Sequence, residues 1–427
     1  MKRVLLLNQD WFADELRELG FEVVTAGHTF ATHLEIKVEI PFLHIDKLLA
    51  LIPNNWRPDV IVVYDNSAPM AFSGFEDLQI PTIFYSVDTH HHAALHRYLF
   101  DVFDYHLIAQ RDYYDFLAEA GHSPEWFPLW ASRYVDTCEE KKHGAVFVGT
   151  LNAKLNPERV AFFEKLKEQT DILCTQGAYW EIFPRAHIVI NQTVKSDLNF
   201  RVFESMMCGP LLLTEESDNG LFDLFQNGIH LVTYKKNDVK DAAQKIKFYL
   251  DNPDQAAKIA RCGREEILAK HTPMARAKRM AEIINSVRKT DRPRRYASMA
   301  VNYLCLARTS KDVADNVRVS GLTHCLRCFE QSLEHNHFFD DTLAAQLVVA
   351  AHDFDKLSAS TSGYRLLKRF FERFPDNHVL LLAIVRGAMN TGEMAFAQEL
   401  CDRYSLESTS ATYEKAEIVV RKLLDTL

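Results

Sequence analysis

The sequence predicts an α/β protein with two doubly wound, Rossmann-like domains that face a cleft, followed by an all-helical region. Three observations indicate this arrangement. Short apolar runs alternate with helical stretches up to about residue 135, and the same alternation restarts near residue 144. Beyond about residue 292, strand-like runs stop and helical segments follow one another. Continuous apolar strands with helices between them are typical of parallel sheets that are covered on both faces.

The first predicted domain spans residues 1–138. Its strands are expected to be six apolar runs that are rich in β-branched and aromatic residues. They lie at 4–7, 21–25, 60–63, 82–87, 105–109 and 126–129, with helices expected at 10–19 and 113–120. Because ligands bind at the carboxyl ends of the strands in such folds, the loops after these strands should line the cleft.

The second predicted domain spans residues 139–290 and begins in a charged break at 138–144. Its strands are expected at 145–148, 172–174, 188–190, 211–214 and 230–233. Its helices are expected at 157–168, 199–207, 239–250, 253–270 and 273–287. Pro157 and Pro253 stand where proline is favoured, at the first position of a helix.

The third predicted domain spans residues 291–427 and contains only helices. Breaks between them are expected near Ser310, Asn336, Ser360, Pro375 and Thr391. The stretch from 374 to 397 resembles a degenerate tetratricopeptide (TPR-like) helix pair, although no strict repeat period holds across the region. Such a module either offers a binding face to a protein partner or only packs on the other domains as a cap.

Composition excludes some classes of function. The net charge of −9 over 427 residues disfavours a broad nucleic-acid-binding surface, and no apolar run approaches the length of a membrane helix. Eight scattered cysteines indicate free thiols in a reducing, cytoplasmic setting. Cys325 and Cys328 form a lone CxxC, which favours two neighbours on a helix over a zinc or redox site. The basic residues from Arg288 to Arg295 are interpreted as a solvated hinge, with a lipid or polyanion site as the alternative.

The stretch NFRVFESMMCG at 199–209 is the strongest functional signal. Its polar residues Asn199, Arg201 and Glu204 open an otherwise apolar helix, which runs into a Gly-Pro turn and a buried strand. The first turn of a helix presents unpaired N–H groups and a partial positive charge, which suit phosphate groups. A carboxylate one turn later can accept hydrogen bonds from sugar hydroxyls. The pattern therefore predicts a nucleotide-sugar site, unless Arg201 and Glu204 only pair with each other.

Several short blocks in fixed order carry a resemblance to a known family. They are FVGT at 147–150, NPER at 156–159, the 199–209 stretch, LLLT at 211–214, LFDLF at 221–225, IKFYLDNP at 246–253 and HT at 271–272. With YSVDTHHH at 85–92, they resemble GT-B glycosyltransferases of the CgeB-like type, the spore maturation proteins that are similar to glycosyl transferase family 1. The resemblance covers roughly 144–285 well and leaves the helical region outside.

The resemblance implies a donor site in the second domain that needs no metal and no cofactor. Glu204 would bind the ribose, while Arg201 and the backbone at Asn199 would face the pyrophosphate. Gly149 and Thr150 stand at the end of a predicted strand beside this site, and Arg159 lies on the helix that comes next. The expected donor-binding residues are Gly149, Thr150, Arg159, Asn199, Arg201 and Glu204. Gly149 could instead serve a tight turn, and Arg159 a solvated helix face. One departure is Ser196, which stands where many retaining relatives carry a second Glu.

The acceptor side is expected in the first domain. Asp88, His90 and His91 follow a predicted strand, and an Asp or His with a tuned pKa can act as general base toward an acceptor hydroxyl. A zinc site is the sharper alternative for the histidine run. Asp10, Trp11 and Asp65 follow other strands and should also face the acceptor; Trp11 would stack on a sugar or pack, and Asp65 is a second candidate base.

These features together predict a glycosyltransferase that moves a sugar from a nucleotide-sugar donor to a hydroxyl-bearing glycan or protein. The second domain would hold the donor, the first the acceptor, and the helical region a possible protein partner. Two alternatives remain open: a non-catalytic interaction protein that uses the helical region, and a sugar-nucleotide epimerase.

Overall fold

The structure is a computed structural model that describes residues 1–28, 33–40, 42–137, 140–309, 315–335 and 339–426. The predicted boundary at Cys138 lies outside the described residues, as do the breaks expected near Ser310 and Asn336. The predicted fold class is confirmed, because two parallel sheets with helices between their strands are followed by a helical region.

Fourteen strands lie in the described part of the chain, all before residue 235. They are β1 Arg3–Leu7, β2 Glu22–His28, β3 Ile36–Val38, β4 Leu43–His44, β5 Val60–Tyr64, β6 Phe72–Ser73, β7 Thr82–Ser86, β8 Tyr105–Ile108, β9 Glu125–Trp126, β10 His143–Val148, β11 Ile172–Thr175, β12 Ala186–Asn191, β13 Leu211–Glu215 and β14 Val232–Tyr234.

Eighteen α-helices separate and follow these strands in the described ranges. They are α1 Ala13–Glu18, α2 Ile45–Leu51, α3 Thr89–Val102, α4 Tyr114–Glu119, α5 Pro157–Lys167, α6 Tyr179–Ile182, α7 Phe200–Cys208, α8 Leu221–Leu224, α9 Val239–Asp251, α10 Pro253–Lys270, α11 Pro273–Ser286, α12 Arg295–Thr309, α13 Asp315–His335, α14 Asp341–Ser358, α15 Ser362–Arg373, α16 His378–Thr391, α17 Met394–Arg403 and α18 Thr409–Thr426. None of the described helices combines the length and apolar character needed to cross a membrane.

The first sheet has seven parallel strands in the order β3-β2-β1-β5-β7-β8-β9. Its central strands are fully buried, as continuous apolar runs predict. Three short strands were not predicted: β3 at the edge of this sheet, and β4 and β6, which form a separate two-stranded sheet. Strand β9 ends at Trp126 rather than at 129. Pro128 follows closely and cannot donate a ladder hydrogen bond, which accounts for the early end of β9.

The second sheet has five parallel strands in the order β11-β10-β12-β13-β14. Its order reverses at β10, where β11 lies on one side and β12 on the other. Such a reversal opens a crevice at the carboxyl ends of the strands. The loops after β7 in the first sheet and after β10 in the second line one cavity, so the two carboxyl edges face each other.

Side chains join the two sheet-bearing units beside this cleft. Gln110, after β8, accepts hydrogen bonds through Oε1 from the Leu198 backbone N–H (3.0 Å) and from Asn219 Nδ2 (2.6 Å). Helix α11 returns to the first unit, where the Arg276 guanidinium donates to the backbone carbonyls of Pro128 (2.6 Å) and Leu129 (2.9 Å).

The helical region packs directly on the first unit. Helix α12 lies against α3, and its buried Tyr303 donates from its hydroxyl to Glu76 (2.9 Å). Cys325 and Cys328 are both buried on α13, and the Cys328 thiol lies 3.3 Å from the same Glu76 carboxylate. The interpretation of the CxxC as helix neighbours therefore fits the structure.

The basic segment from Arg288 to Arg295 differs from its sequence-based interpretation. It was expected to be a solvated hinge, but it is anchored on the buried carboxylate of Asp104. That carboxylate accepts hydrogen bonds from Arg295 Nη2 (2.9 Å) and from the Thr290 N–H (2.9 Å), with Lys289 Nζ at 3.4 Å. The structural reason is that a buried carboxylate requires donors and positive charge, and this segment supplies both.

Candidate functional site

A cavity of about 940 Å³ lies between the two carboxyl edges. Nine of the twelve predicted site residues line it: Asp88, His90, His91, Gly149, Thr150, Arg159, Asn199, Arg201 and Glu204. The residues come from the start of α3, the loop after β10, the start of α5 and the first turns of α7. The structure therefore brings together the two groups that were assigned to separate units.

Arg201 reaches across the end of β10. Its Nε donates to the Val148 carbonyl (3.0 Å), and its Nη1 donates to Asn191 Oδ1 (2.7 Å). The guanidinium lies over the Phe147 ring at 4.5 Å. A Cβ added at Gly149 would stand 2.4 Å from Arg201 Nη2, so only glycine leaves room for this guanidinium. The glycine is thus required by the close packing of Arg201.

Arg159 is buried on α5, contrary to the alternative of a solvated helix face. Its Nε donates to Gln192 Oε1 (3.1 Å), and its Nη2 donates to the Gln192 carbonyl (2.9 Å). Burial lowers the pKa of Arg159, and burial together with the charge of Arg159 lowers the pKa of Arg201 to about 10. Asn191 and Gln192, which orient the two guanidinium groups, were missed, although they directly follow the strand predicted at 188–190 and that position was a usable signal.

The alternative that Arg201 and Glu204 pair with each other is wrong. Among the described residues, neither Arg159 nor Arg201 forms an ion pair. Glu204 instead accepts a hydrogen bond through Oε1 from the Ser132 hydroxyl (2.7 Å), which also lies 2.7 Å from the Tyr179 hydroxyl. Burial raises the pKa of the Glu204 carboxyl. Two cations thus face the cavity without a carboxylate in contact.

Ser132 and Tyr179 were also missed by the sequence analysis. Tyr179 is the first residue of α6 and follows the loop after β11. Its position near the carboxyl end of a predicted strand could have marked it as a residue of the cleft. Ser132 lies in the irregular segment that joins the two units, where no periodic pattern exists. Next to them, the Arg133 guanidinium stacks over the Trp180 ring at 3.9 Å, which fastens that segment to α6.

Asp88, His90 and His91 form the start of α3. The His90 ring is buried, and its Nδ1 has no hydrogen-bond partner among the described residues. Burial and the neighbouring charge of His91 lower the pKa of His90 to about 4, so its imidazole is neutral near pH 7. Asp88 accepts a hydrogen bond through Oδ2 from the Ser67 hydroxyl. A carboxylate and a neutral imidazole therefore line the same cavity as the two arginines.

Asp65 and Trp11 lie in an adjoining cavity of about 300 Å³, which shares Asp88 and Asn199 with the first. Trp11 packs edge-on against Tyr64, at 5.1 Å between ring centroids, and it lies close to Trp130 as well. The side chain of Asp65 is only 2% exposed, and both of its oxygens accept backbone hydrogen bonds. Its role as a second candidate base stays a prediction.

Asp10 is the predicted site residue that the structure places apart. It lines a third cavity of about 410 Å³ on the other side of Trp11. Its carboxylate lies 3.4 Å from His33 Nε2. The loop that carries Asp10 has a left-handed backbone on both sides of it, at Asn8 (φ 78°) and Phe12 (φ 69°).

Ser196 and Asp197 form the loop where the second Glu was missing. Asp197 is buried; its Oδ1 accepts from the Val194 N–H (2.6 Å) and from Asn199 Nδ2 (3.3 Å). Ser196 has a left-handed backbone (φ 62°), and its carbonyl accepts from the Ser217 hydroxyl (2.7 Å). Among the described His, Cys, Asp and Glu side chains, no group of three is placed to hold a metal ion.

Solved structures with a similar fold include three from bacteria. HepE of Anabaena in complex with UDP and glucose is 11% identical, with a TM-score of 0.48 over 67% of this chain and 100% of that chain. Sucrose-phosphate synthase of Thermosynechococcus elongatus is 10% identical, with a TM-score of 0.46 over 67% and 98%. A glycosyltransferase of Rickettsia africae is 12% identical, with a TM-score of 0.46 over 66% and 98%.

Comparison with the curated proteins gives no match to this chain. Comparison with family models gives one, to the family described as glycosyl transferase-like, over residues 157–282. The matched part begins at Pro157, the first residue of α5, and ends within α11. It contains Arg159, Arg201 and Glu204, three of the residues that line the cavity. This part of the chain is thus similar to glycosyl transferase-like domains.

Proposed function

We propose that this protein is a glycosyltransferase that moves a sugar from a nucleoside diphosphate donor to a hydroxyl group of a glycan or protein acceptor. The observation that carries the proposal is the pair of enclosed guanidinium groups of Arg159 and Arg201, which face the cavity without an ion-pair partner. A buried cation is costly unless an anion accompanies it. A diphosphate supplies that anion, and an arginine fork binds it with two parallel hydrogen bonds.

Contacts to the nucleotide part and to the sugar of the donor fix its orientation in the cavity. The diphosphate lies between Arg159 and Arg201, close to the backbone at Gly149. The ribose hydroxyls donate to the Glu204 carboxylate, which the Ser132 hydroxyl orients through its hydrogen bond to Oε1. The sugar then points toward Asp88 and His90, which come from the first unit and line the same cavity.

The reaction is a substitution at the anomeric carbon of the donor sugar. The bond from this carbon to the diphosphate oxygen breaks, and a bond to the acceptor oxygen forms. Asp88 takes the proton of the acceptor hydroxyl, and the electron pair of the broken bond leaves with the nucleoside diphosphate. The two guanidinium groups stabilise the negative charge that develops on this leaving group.

Because the two guanidinium groups supply the positive charge that the leaving diphosphate needs, we propose that the reaction needs no metal or cofactor. In that case, incubation with a chelator leaves both donor binding and turnover unchanged. We also propose, from the sequence blocks, that the protein is of the CgeB-like type and acts in the cytoplasm. The TPR-like character of α12–α18 and a protein partner for this region are part of the same proposal.

Calorimetry with matched buried-arginine variants tests the donor site. UDP-, GDP-, ADP- and dTDP-sugars and their diphosphates are titrated into the wild type, Arg159→Met and Arg276→Met. Arg276 is a suitable control because it is also enclosed and bonded to backbone carbonyls, but it does not line the cavity. Loss of one charged hydrogen-bond donor costs about 1.5–3 kcal/mol, which is roughly a 10- to 100-fold weaker affinity.

The expected result is that one nucleoside diphosphate series binds, that Arg159→Met weakens this binding, and that Arg276→Met does not. The free nucleoside should bind equally weakly to all three proteins, since it lacks the diphosphate. Absence of binding by every diphosphate to a folded wild type contradicts the proposal, as does equal weakening by both variants.

A further inference from the structure

The Asp65 carboxylate ties together the two loops that meet at Asp88. Its Oδ1 accepts from the Ser67 N–H (2.8 Å), two residues along its own loop. Its Oδ2 accepts from the backbone N–H of Asp88 (2.8 Å) and of Val87 (3.3 Å), in the loop after β7. Both oxygens are therefore occupied by backbone donors on either side of the proposed base.

His96 lies directly behind Asp65 and is fully buried. Its Nε2 is 3.6 Å from Asp65 Oδ1, which is longer than an ordinary hydrogen bond. Its Nδ1 is 2.7 Å from the Ser86 hydroxyl, which in turn lies 2.5 Å from the Thr89 hydroxyl. The imidazole thus connects the end of β7, the first residue of α3 and the Asp65 carboxylate.

The start of α3 needs such support because it is not continuous with the rest of the helix. At His92 the backbone angles (φ −127°, ψ 20°) depart from helical values. The turn that carries Asp88 and His90 is therefore separated by a kink from the packed part of α3. Regular helix hydrogen bonding alone does not fix the direction of these side chains.

The side chain of Asp88 is held by the same network. Its Oδ2 accepts from the hydroxyl of Ser67, whose own N–H is bound by Asp65. The Asp65 carboxylate therefore fixes the backbone of Asp88 directly and its carboxylate through Ser67. An apolar pair could fill the space of Asp65 and His96 at lower desolvation cost, but it could not hold these donors.

We propose that His96 is a positioning residue that acts through Asp65 on the Asp88 carboxylate. This inference rests on the proposed function, because it assigns a role in the transfer reaction. His96 does not contact the substrate; it holds the Asp65 carboxylate in place, and Asp65 keeps Asp88 aimed into the cavity. Asp65 is a positioning residue in the same sense.

Two amide variants of nearly equal size separate positioning from packing. In His96→Gln the side-chain amide takes the place of Nε2 and keeps the contact to Asp65. In His96→Asn it takes the place of Nδ1 and keeps only the contact to Ser86. His106→Gln is the control, since His106 is a buried histidine of the same unit that stacks on Phe100 away from the cavity.

The first measurement is turnover of the donor that calorimetry identifies. We expect His96→Asn to lower kcat about 10- to 100-fold with an unchanged Kd for the nucleoside diphosphate, because Arg159 and Arg201 lie outside the network. We expect His96→Gln to stay within about fivefold of the wild type, and His106→Gln to keep its kcat while melting at a lower temperature. Equal kcat for the Asn and Gln variants overturns the proposal.

The second measurement does not depend on catalysis. Hydrogen exchange of the Asp88 amide is followed in the wild type and in both His96 variants. The proposal requires faster exchange in His96→Asn than in His96→Gln, and the same rate in both contradicts it. A wild type that binds no nucleoside diphosphate contradicts the proposed function alone, so the two failures remain distinct.

Discussion

Gly149→Ala tests the close packing of the donor site with the smallest possible change. The added Cβ would stand 2.4 Å from Arg201 Nη2 and 2.9 Å from Phe147 Cζ. Ordinary van der Waals contact needs at least 3.4 Å, so the guanidinium must move by about 1 Å. That displacement removes one charged hydrogen bond to the diphosphate, at a cost of about 1.5–3 kcal/mol. We therefore expect roughly 10- to 100-fold weaker binding of the nucleoside diphosphate.

Gly144→Ala on β10, the strand that Gly149 follows, is the matched control, because the nearest neighbour of its Cβ would be Leu250 Cδ1 at an ordinary 3.5 Å. Calorimetry gives the affinity of each variant, and thermal melting reports whether the fold is retained. We expect Gly144→Ala to bind like the wild type. Wild-type affinity in Gly149→Ala, or an equal loss in both variants, would refute the assignment of Arg201 to the diphosphate.

Three further predictions concern stability and reactivity. Burial alone would raise the pKa of Asp65, but the charge of the neighbouring imidazole and the N–H donors lower it from 3.8 to about 2. Its ionised form therefore adds about 2 kcal/mol to the free energy of unfolding above pH 4, and this is lost as the pH falls to 2. Urea titrations across this range should show a flatter pH dependence in Asp65→Asn. Burial raises the pKa of the Cys325 and Cys328 thiols, so iodoacetamide should label them only after unfolding, as mass spectrometry can check. Asp104→Ala leaves Arg295 without its carboxylate and should lower the free energy of unfolding by about 3–5 kcal/mol; a loss below about 1 kcal/mol contradicts the anchoring role.

Helices and strands could be predicted from the sequence wherever local features, such as a proline at a helix start, agree with the tertiary packing. Helix α10 was predicted at 253–270 and is found at Pro253–Lys270, because Pro253 favours a helix start and Pro273 prevents its continuation into α11. Strands β3, β4 and β6 could not be predicted in this way, since two or three residues carry no period. They form through tertiary pairing: β3 pairs with β2, and β4 and β6 pair with each other.

The candidate site could be predicted as a set of loops but not as a set of contacts. The spacing of Arg201 and Glu204 places both on the first turns of α7, and their convergence with Asp88 follows from strand topology. Their hydrogen-bond partners do not, because Ser132 is 72 residues away from Glu204 in the chain. His96 was missed because a histidine on the apolar face of a helix is typical of an ordinary core position.

The measurement that tests the central claim most directly is the fate of the donor sugar nucleotide. The donor identified by calorimetry is incubated with the wild type and with Asp88→Asn, with and without a panel of hydroxyl acceptors, and followed by ³¹P NMR. The account predicts nucleoside diphosphate signals that grow faster with an acceptor and are suppressed in Asp88→Asn. Conversion to an isomeric sugar nucleotide would indicate an epimerase, and an unchanged, tightly bound donor would indicate a non-catalytic protein; either result contradicts glycosyl transfer.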